Sequence, residues 1–158
     1  MSDYTITTDG KKWYENGVLI KWEDPKGNMY YFENNEAPYE LHREDGPAIE
    51  NVDGSKVWIR FGEIVQREDS QGGTRYYLGE GKEKFEFNGD TFWYTDGKTD
   101  REDGPAIIKA NGDMYWLKED SLHREDGPAI VRIDGSKRWY INNQIMSEQE
   151  FNEITAAV

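Results

Sequence analysis

The heptapeptide REDGPAI is written three times without change, at residues 43–49, 101–107 and 124–130. One copy, read as LHREDGPAI with a histidine, an arginine and two carboxylates in a row, would invite a catalytic interpretation. Three copies point to construction instead. An active site needs one constellation, whereas stacked layers need the same joint in every layer. Weaker echoes stand at WEDPKG (22–27) and REDS (67–70).

A second signal follows each full copy. Asp53-Gly54, Asn111-Gly112 and Asp134-Gly135 end eight residues after the motif glycine, and Trp58, Trp116 and Trp139 stand four residues further on. Gly27 and Tyr31, Gly73 and Tyr77, and Gly89 and Trp93 repeat that last spacing. Asp-Gly and Asn-Gly favour two-residue type I′ hairpin loops. Counting outward from such loops predicts that Ile49 faces Trp58, Ile107 faces Trp116 and Ile130 faces Trp139, an apolar pair near the open end of each hairpin.

A second turn position, at Gly17, Asn35, Gly62, Gly81, Gly97, Asp120 and Asn143, lies four residues after Trp13, Tyr31, Trp58, Tyr77, Trp93, Trp116 and Trp139. The runs between turns, such as KVWIRF and TRYYL, are short and rich in aromatic and β-branched residues. The expected fold is all-β, a meander of stacked β-hairpin repeats with a period of about 23 residues. Residues 1–158 form one repeat domain in this reading, with hairpins over 1–146 and a capping helix over 147–158. Ser147 and Glu150 have capping-box spacing, and Phe151 and Ile154 are expected on one side of that helix.

Composition narrows the function classes. The chain has no cysteine, so disulfide frameworks and thiolate metal sites are out. It carries a formal net charge of −13, which opposes binding of a phosphate backbone and of anionic membranes. Six tryptophans, ten tyrosines and six phenylalanines supply the apolar area that a disordered acidic chain lacks. No window approaches the roughly 18 apolar residues of a membrane span, and a cytoplasmic location is expected.

Within the motif, Asp-Gly-Pro forces a bend followed by an extended segment, and Pro47, Pro105 and Pro128 fix φ at a strand entrance. Arg43, Arg101 and Arg124 are expected to pair with acidic groups or carbonyls of the same or the next repeat. His42 and His123 are the only histidines, and Asp100 takes their place in the remaining copy. No serine or cysteine stands at a matching position to act as nucleophile. The carboxylate pairs lack EF-hand spacing, and QGGTR and LGEGKEKF lack the ending of a phosphate loop. The sequence therefore predicts no catalytic residue, no metal and no cofactor.

Surface is what remains. Glu33, Glu36, Glu40, Glu44, Asp45, Glu50 and Asp53 oppose one arginine, Arg43, over residues 33–53. This run reads as an acidic face able to steer a basic partner. The segment 66–97 departs most from the repeat, and Arg75, Tyr76, Tyr77, Phe92, Trp93 and Tyr94, with Arg101, are its candidate binding residues.

The glycine turns, aromatic strands and REDGPAI phrase resemble a MORN-variant β-hairpin repeat of the type seen in phage and bacterial proteins, over most of residues 9–143. That resemblance implies a twisted, elongated sheet acting as a scaffold. The leading expectation is a non-enzymatic protein-interaction scaffold, a phage accessory protein that binds and modulates a host protein. Two alternatives stay open: a protein that sequesters a small molecule or nucleotide, and an acidic mimic of nucleic acid. A homo-oligomer is compatible with each.

Overall fold

Short strands and tight turns alternate over the described residues up to Met146 because aromatic and β-branched runs are interrupted every few residues by turns with left-handed backbone. The computed structural model describes residues 3–33 and 40–156. Asn35 and Glu36 lie outside the described residues. Two compact units divide the chain, Met1–Tyr76 and Tyr77–Val158.

The first unit contains β1 (Asp3–Thr7), β2 (Gly10–Glu15), β3 (Val18–Glu23), β4 (Met29–Tyr31), β5 (Ile49–Glu50), β6 (Lys56–Arg60) and β7 (Glu63–Glu68), with β8 (Thr74–Gly79) ending just past its boundary. Each strand pairs antiparallel with the next in sequence. The second unit contains β9 (Lys82–Phe87), β10 (Asp90–Thr95), β11 (Lys98–Thr99), β12 (Ile107–Ile108), β13 (Met114–Tyr115), β14 (Leu117–Lys118), β15 (Ser121–Leu122), β16 (Ile130–Val131), β17 (Lys137–Ile141) and β18 (Gln144–Met146), then α1 (Glu148–Thr155). Its order is β9-β10-β12-β13-β16-β17-β18, with β11 also on β10 and β14 paired to β15. The fold is thus the all-β meander of hairpins with a short C-terminal helix.

Two turn types alternate. Both residues of Asn16-Gly17, Phe61-Gly62, Glu80-Gly81, Asn88-Gly89, Asp96-Gly97, Glu119-Asp120 and Asn142-Asn143 have positive φ, as a two-residue type I′ loop requires. The turns that follow REDGPAI differ from expectation. Gly54 N–H donates to Asn51 O while Asn51 N–H donates to Ser55 O, which closes a three-residue loop with the glycine in the left-handed position. The same pair of bonds recurs at 109–113 and 132–136, and also at 24–28 and 69–73. The reason is local. Asp53, Asn111 and Asp134 accept through Oδ1 the backbone N–H two residues on, an Asx turn that leaves only the following glycine at positive φ.

One extra loop residue moves the register by one. Ile49 faces Val57, Ile107 faces Tyr115 and Ile130 faces Arg138, so the expected isoleucine–tryptophan pairs do not form. One step further out stand the motif alanines, whose carbonyls accept N–H bonds from an aromatic residue of the preceding strand, Tyr31, Trp93 and Trp116. Ala48, Ala106 and Ala129 are fully buried. Ala48 also donates its own N–H to Val57 O on the following strand. Residues directly opposite share a face at roughly 5 Å, so a small side chain fits where the neighbour is a large ring.

The echoes WEDPKG and REDS are not shortened copies of the motif. Asp24 and Asp69 begin three-residue turns, and Gly72 rather than Gly73 holds the left-handed position. At the C-terminus, Ser147 caps α1 in a complete capping box. Phe151 is buried, but Ile154 is half exposed, so the helix is anchored through one aromatic side chain.

Candidate functional site

Each REDGPA segment is an excursion out of a strand opposite one aromatic residue. Trp93 N–H donates to Ala106 O, and Trp93 O accepts Asp100 N–H. Trp116 bonds both feet of its loop in the same way, through Ala129 and His123, and Tyr31 does so through Ala48 and His42. The five residues between the feet bulge outward and fold back over that aromatic side chain.

The arginine makes the closure. The guanidinium carbons of Arg43, Arg101 and Arg124 lie 4.2, 4.1 and 4.0 Å from the ring centroids of Tyr31, Trp93 and Trp116. Each Nε donates to the aspartate two residues on, at 2.8 Å for Asp45 and 2.6 Å for Asp103 and Asp126. The motif glycine covers the other side of the arginine. A Cβ on Gly46, Gly104 or Gly127 would stand 2.9, 3.2 or 3.3 Å from the guanidinium carbon. Arginine, aspartate, glycine and alanine of the motif therefore form one unit: a cation held between ring and backbone, fixed by its carboxylate, above a buried alanine. The arginines pair within their own copy, as one branch of the sequence reading expects. Their bonds hold Asp45, Asp103 and Asp126 below the usual carboxylate pKa.

The histidines staple each loop foot to the next hairpin turn. His42 Nδ1 accepts Phe61 N–H at 3.2 Å, and His123 Nδ1 lies 2.8 Å from Asn142 Oδ1 and 3.2 Å from Asn142 N, both partners being residues with positive φ. His42 is buried, and its Nε2 points at Glu33 Oε2, 2.5 Å away but outside hydrogen-bonding geometry. Glu33, His42 and Glu44 bring one ligand atom each within 4.8 Å of one another. A metal on Nε2 would need the ring proton on Nδ1, and so would compete with the bond that Nδ1 accepts from Phe61 N–H.

The expected acidic face is divided by these contacts. Arg43 engages Asp45 and Glu50, Asp53 belongs to a turn, Glu33 and Glu44 flank His42, and Glu40 is exposed. Glu44 O also accepts from Arg60 Nη2 at 2.7 Å. Of the residues proposed in the irregular segment, the structure brings together Trp93, Tyr94 and Arg101, which line a depression of about 310 Å³ with Leu78 and Lys82. Phe92 packs near Phe85 and Lys109, while Arg75 and Tyr76 pair across the ladder with Arg67 and Gln66. Tyr77 is half buried on β8.

The larger concavity was not foreseen. An open groove of about 710 Å³ lies between two successive loops, lined by Trp116, by Asp100, Glu102, Asp103, Glu125 and Asp126, and by Arg101, Lys118 and Arg124. Asp103 and Asp126 each expose 81% of their side chains although an arginine holds them, so their outer lone pairs face solvent. The fixed interval of eight residues from Trp93 to Arg101 and from Trp116 to Arg124 was the signal that could have found this unit.

No family model matches the chain, and no curated protein or solved structure matches it. Among the described residues, no helix is long and apolar enough to cross a membrane.

Proposed function

We propose that this protein is a non-enzymatic interaction scaffold that receives a basic segment of a partner protein in the groove between REDGPA loops. The observation that carries the reading is the groove itself, whose lining sets five carboxylates against Lys118 and two motif arginines. Its motif arginines are held internally by ring and aspartate, which leaves outward-facing carboxylate oxygens for a ligand's lysine or arginine side chains. The net charge of −13 adds long-range steering towards such a partner. The resemblance to MORN-variant repeats of phage and bacteria supports an accessory role, with the partner a host protein that is modulated by being bound.

The test uses a labelled arginine- and lysine-rich peptide and an acidic peptide of equal length, titrated at low and at physiological salt. The basic peptide should bind with an affinity that falls as salt rises, and the acidic one should not bind. Charge reversal at Glu102 and Glu125, whose side chains make no bond to the motif arginines, should weaken binding at least about tenfold, a loss of roughly 1.4 kcal/mol. Equal binding of both peptides, or indifference to the charge reversals, would overturn the proposal.

A further inference from the structure

The first unit begins with an unprotected sheet edge. Among the described residues, β1 pairs with β2 alone, and all five of its residues are exposed. Tyr4 is 57% and Ile6 74% exposed, two residues apart and hence on one face. Soluble proteins usually blunt such an edge with inward charge, proline, a bulge or a covering element. This strand, Asp-Tyr-Thr-Ile-Thr, has no proline and one charge, at its end.

Its pattern is self-complementary. In an antiparallel arrangement centred on Thr5, Tyr4 faces Ile6 of a second copy, Asp3 faces Thr7, and Thr5 faces its own counterpart. Aromatic and β-branched residues then meet twice, a hydroxyl meets a carboxylate twice, and no like charges oppose each other. A free edge offers the backbone groups of every second residue. Residues 4 and 6 pair with each other in this register, and so do 3, 5 and 7, so the ladder closes whichever set points outward.

Charge favours the same end. Over β1 to β3, residues 3–23, Asp3, Asp9, Glu15 and Glu23 are nearly balanced by Lys11, Lys12 and Lys21, although the whole chain carries −13. Lys12 bonds Asp9, and the ammonium of Lys11 lies 4.3 Å from the centroid of the Tyr4 ring. This is where two copies of an acidic chain can approach with little repulsion.

We infer that β1 is a homodimerisation edge, pairing antiparallel with β1 of a second copy about a two-fold axis at Thr5. The occupant is a second copy rather than a foreign strand because the pattern reads the same against itself. The assembly stops at two, since an isologous contact uses the edge in both partners. A strand of five residues buries less than a standard interface, so the dimer is weak and depends on protein concentration.

The chain has no cysteine, so a single introduced one reports on a single contact. Thr5→Cys places two thiols opposite each other, within the separation of paired strands that a disulfide spans. Mild oxidation should convert it to a covalent dimer, while Val52→Cys, on an exposed turn, should stay monomeric. Sedimentation of the wild-type chain over a wide concentration range should show mass rising from monomer to dimer and no further. Ile6→Lys, at a solvent-exposed position, should shift that transition to at least about tenfold higher concentration with the circular dichroism spectrum unchanged. A monomer at every concentration with no crosslinking above the Val52→Cys control would overturn the inference and leave the edge to a strand of another protein. Growth of mass beyond two copies would overturn it as well. Neither result touches the basic-peptide test of the groove.

Discussion

Gly46→Ala isolates the contact that holds the repeated motif together. Gly46 lies outside the left-handed region, and glycine to alanine at such positions ordinarily stabilises by about 0.4–1 kcal/mol through the unfolded chain. Here the new methyl would stand 2.9 Å from Cζ, 3.0 Å from Nε and 3.2 Å from Nη2 of Arg43. The guanidinium cannot retreat easily, because the Tyr31 ring lies 4.2 Å away on one side while Asp45 and Glu50 hold its nitrogens at 2.8 and 2.9 Å. Overpacking of this kind costs about 1–3 kcal/mol. Displacing the cation forfeits a further ~0.5–1 kcal/mol of ring attraction, the arginine being partly exposed. The net expectation is destabilisation by about 1–3 kcal/mol, larger than for Gly104→Ala or Gly127→Ala, whose closest approaches are 3.2 and 3.3 Å. Urea unfolding followed by tryptophan fluorescence measures it. In an Arg43→Ala background the same substitution should become neutral or stabilising. If Gly46→Ala costs the same with and without Arg43, the proposed sandwich is not what selects glycine there.

Further outcomes follow from the same geometry. Ala106→Leu, at a fully buried position bonded to Trp93, should lower stability by about 1–3 kcal/mol in the same assay, more than a leucine placed at half-buried Ile107. Asn143→Ala removes an Oδ1 that accepts Leu122 N–H at 2.7 Å and puts alanine at φ 63°, and should cost about 1–2 kcal/mol. Asp45, Asp103 and Asp126 have pKa values lowered by their arginines. Their contribution is complete above the ordinary aspartate pKa, near 4, and is lost as pH falls through the lowered values. The thermal midpoint should therefore hold steady down to about pH 5 and decline below about pH 4, and replacing the three arginines by glutamine should flatten that decline.

Much of the architecture was legible because a meander is local. The type I′ loops at Gly17, Gly62, Gly81, Gly97, Asp120 and Asn143 announce themselves by residue type, and each hairpin needs only its own two strands. The Ser147 capping box was equally local. The register was not. Asn-Gly and Asp-Gly serve both a two-residue loop and a three-residue one. The choice fell to an Asx bond from Asp53, Asn111 or Asp134, which composition does not weigh.

The three identical heptapeptides established by themselves that this chain is built from repeated joints, and that a catalytic reading of any one copy had to compete with two others. What the joint does was decided only by tertiary placement. Arginine meets an aromatic ring that lies eight residues earlier in two copies and twelve in the other, on the neighbouring strand. The groove beside it exists only where two such loops stand next to each other. Turns and strand propensities act over a few residues and can be read in order. Stacking of a cation on a ring, burial of an alanine between strands and convergence of carboxylates from separate loops depend on distances that register alone determines.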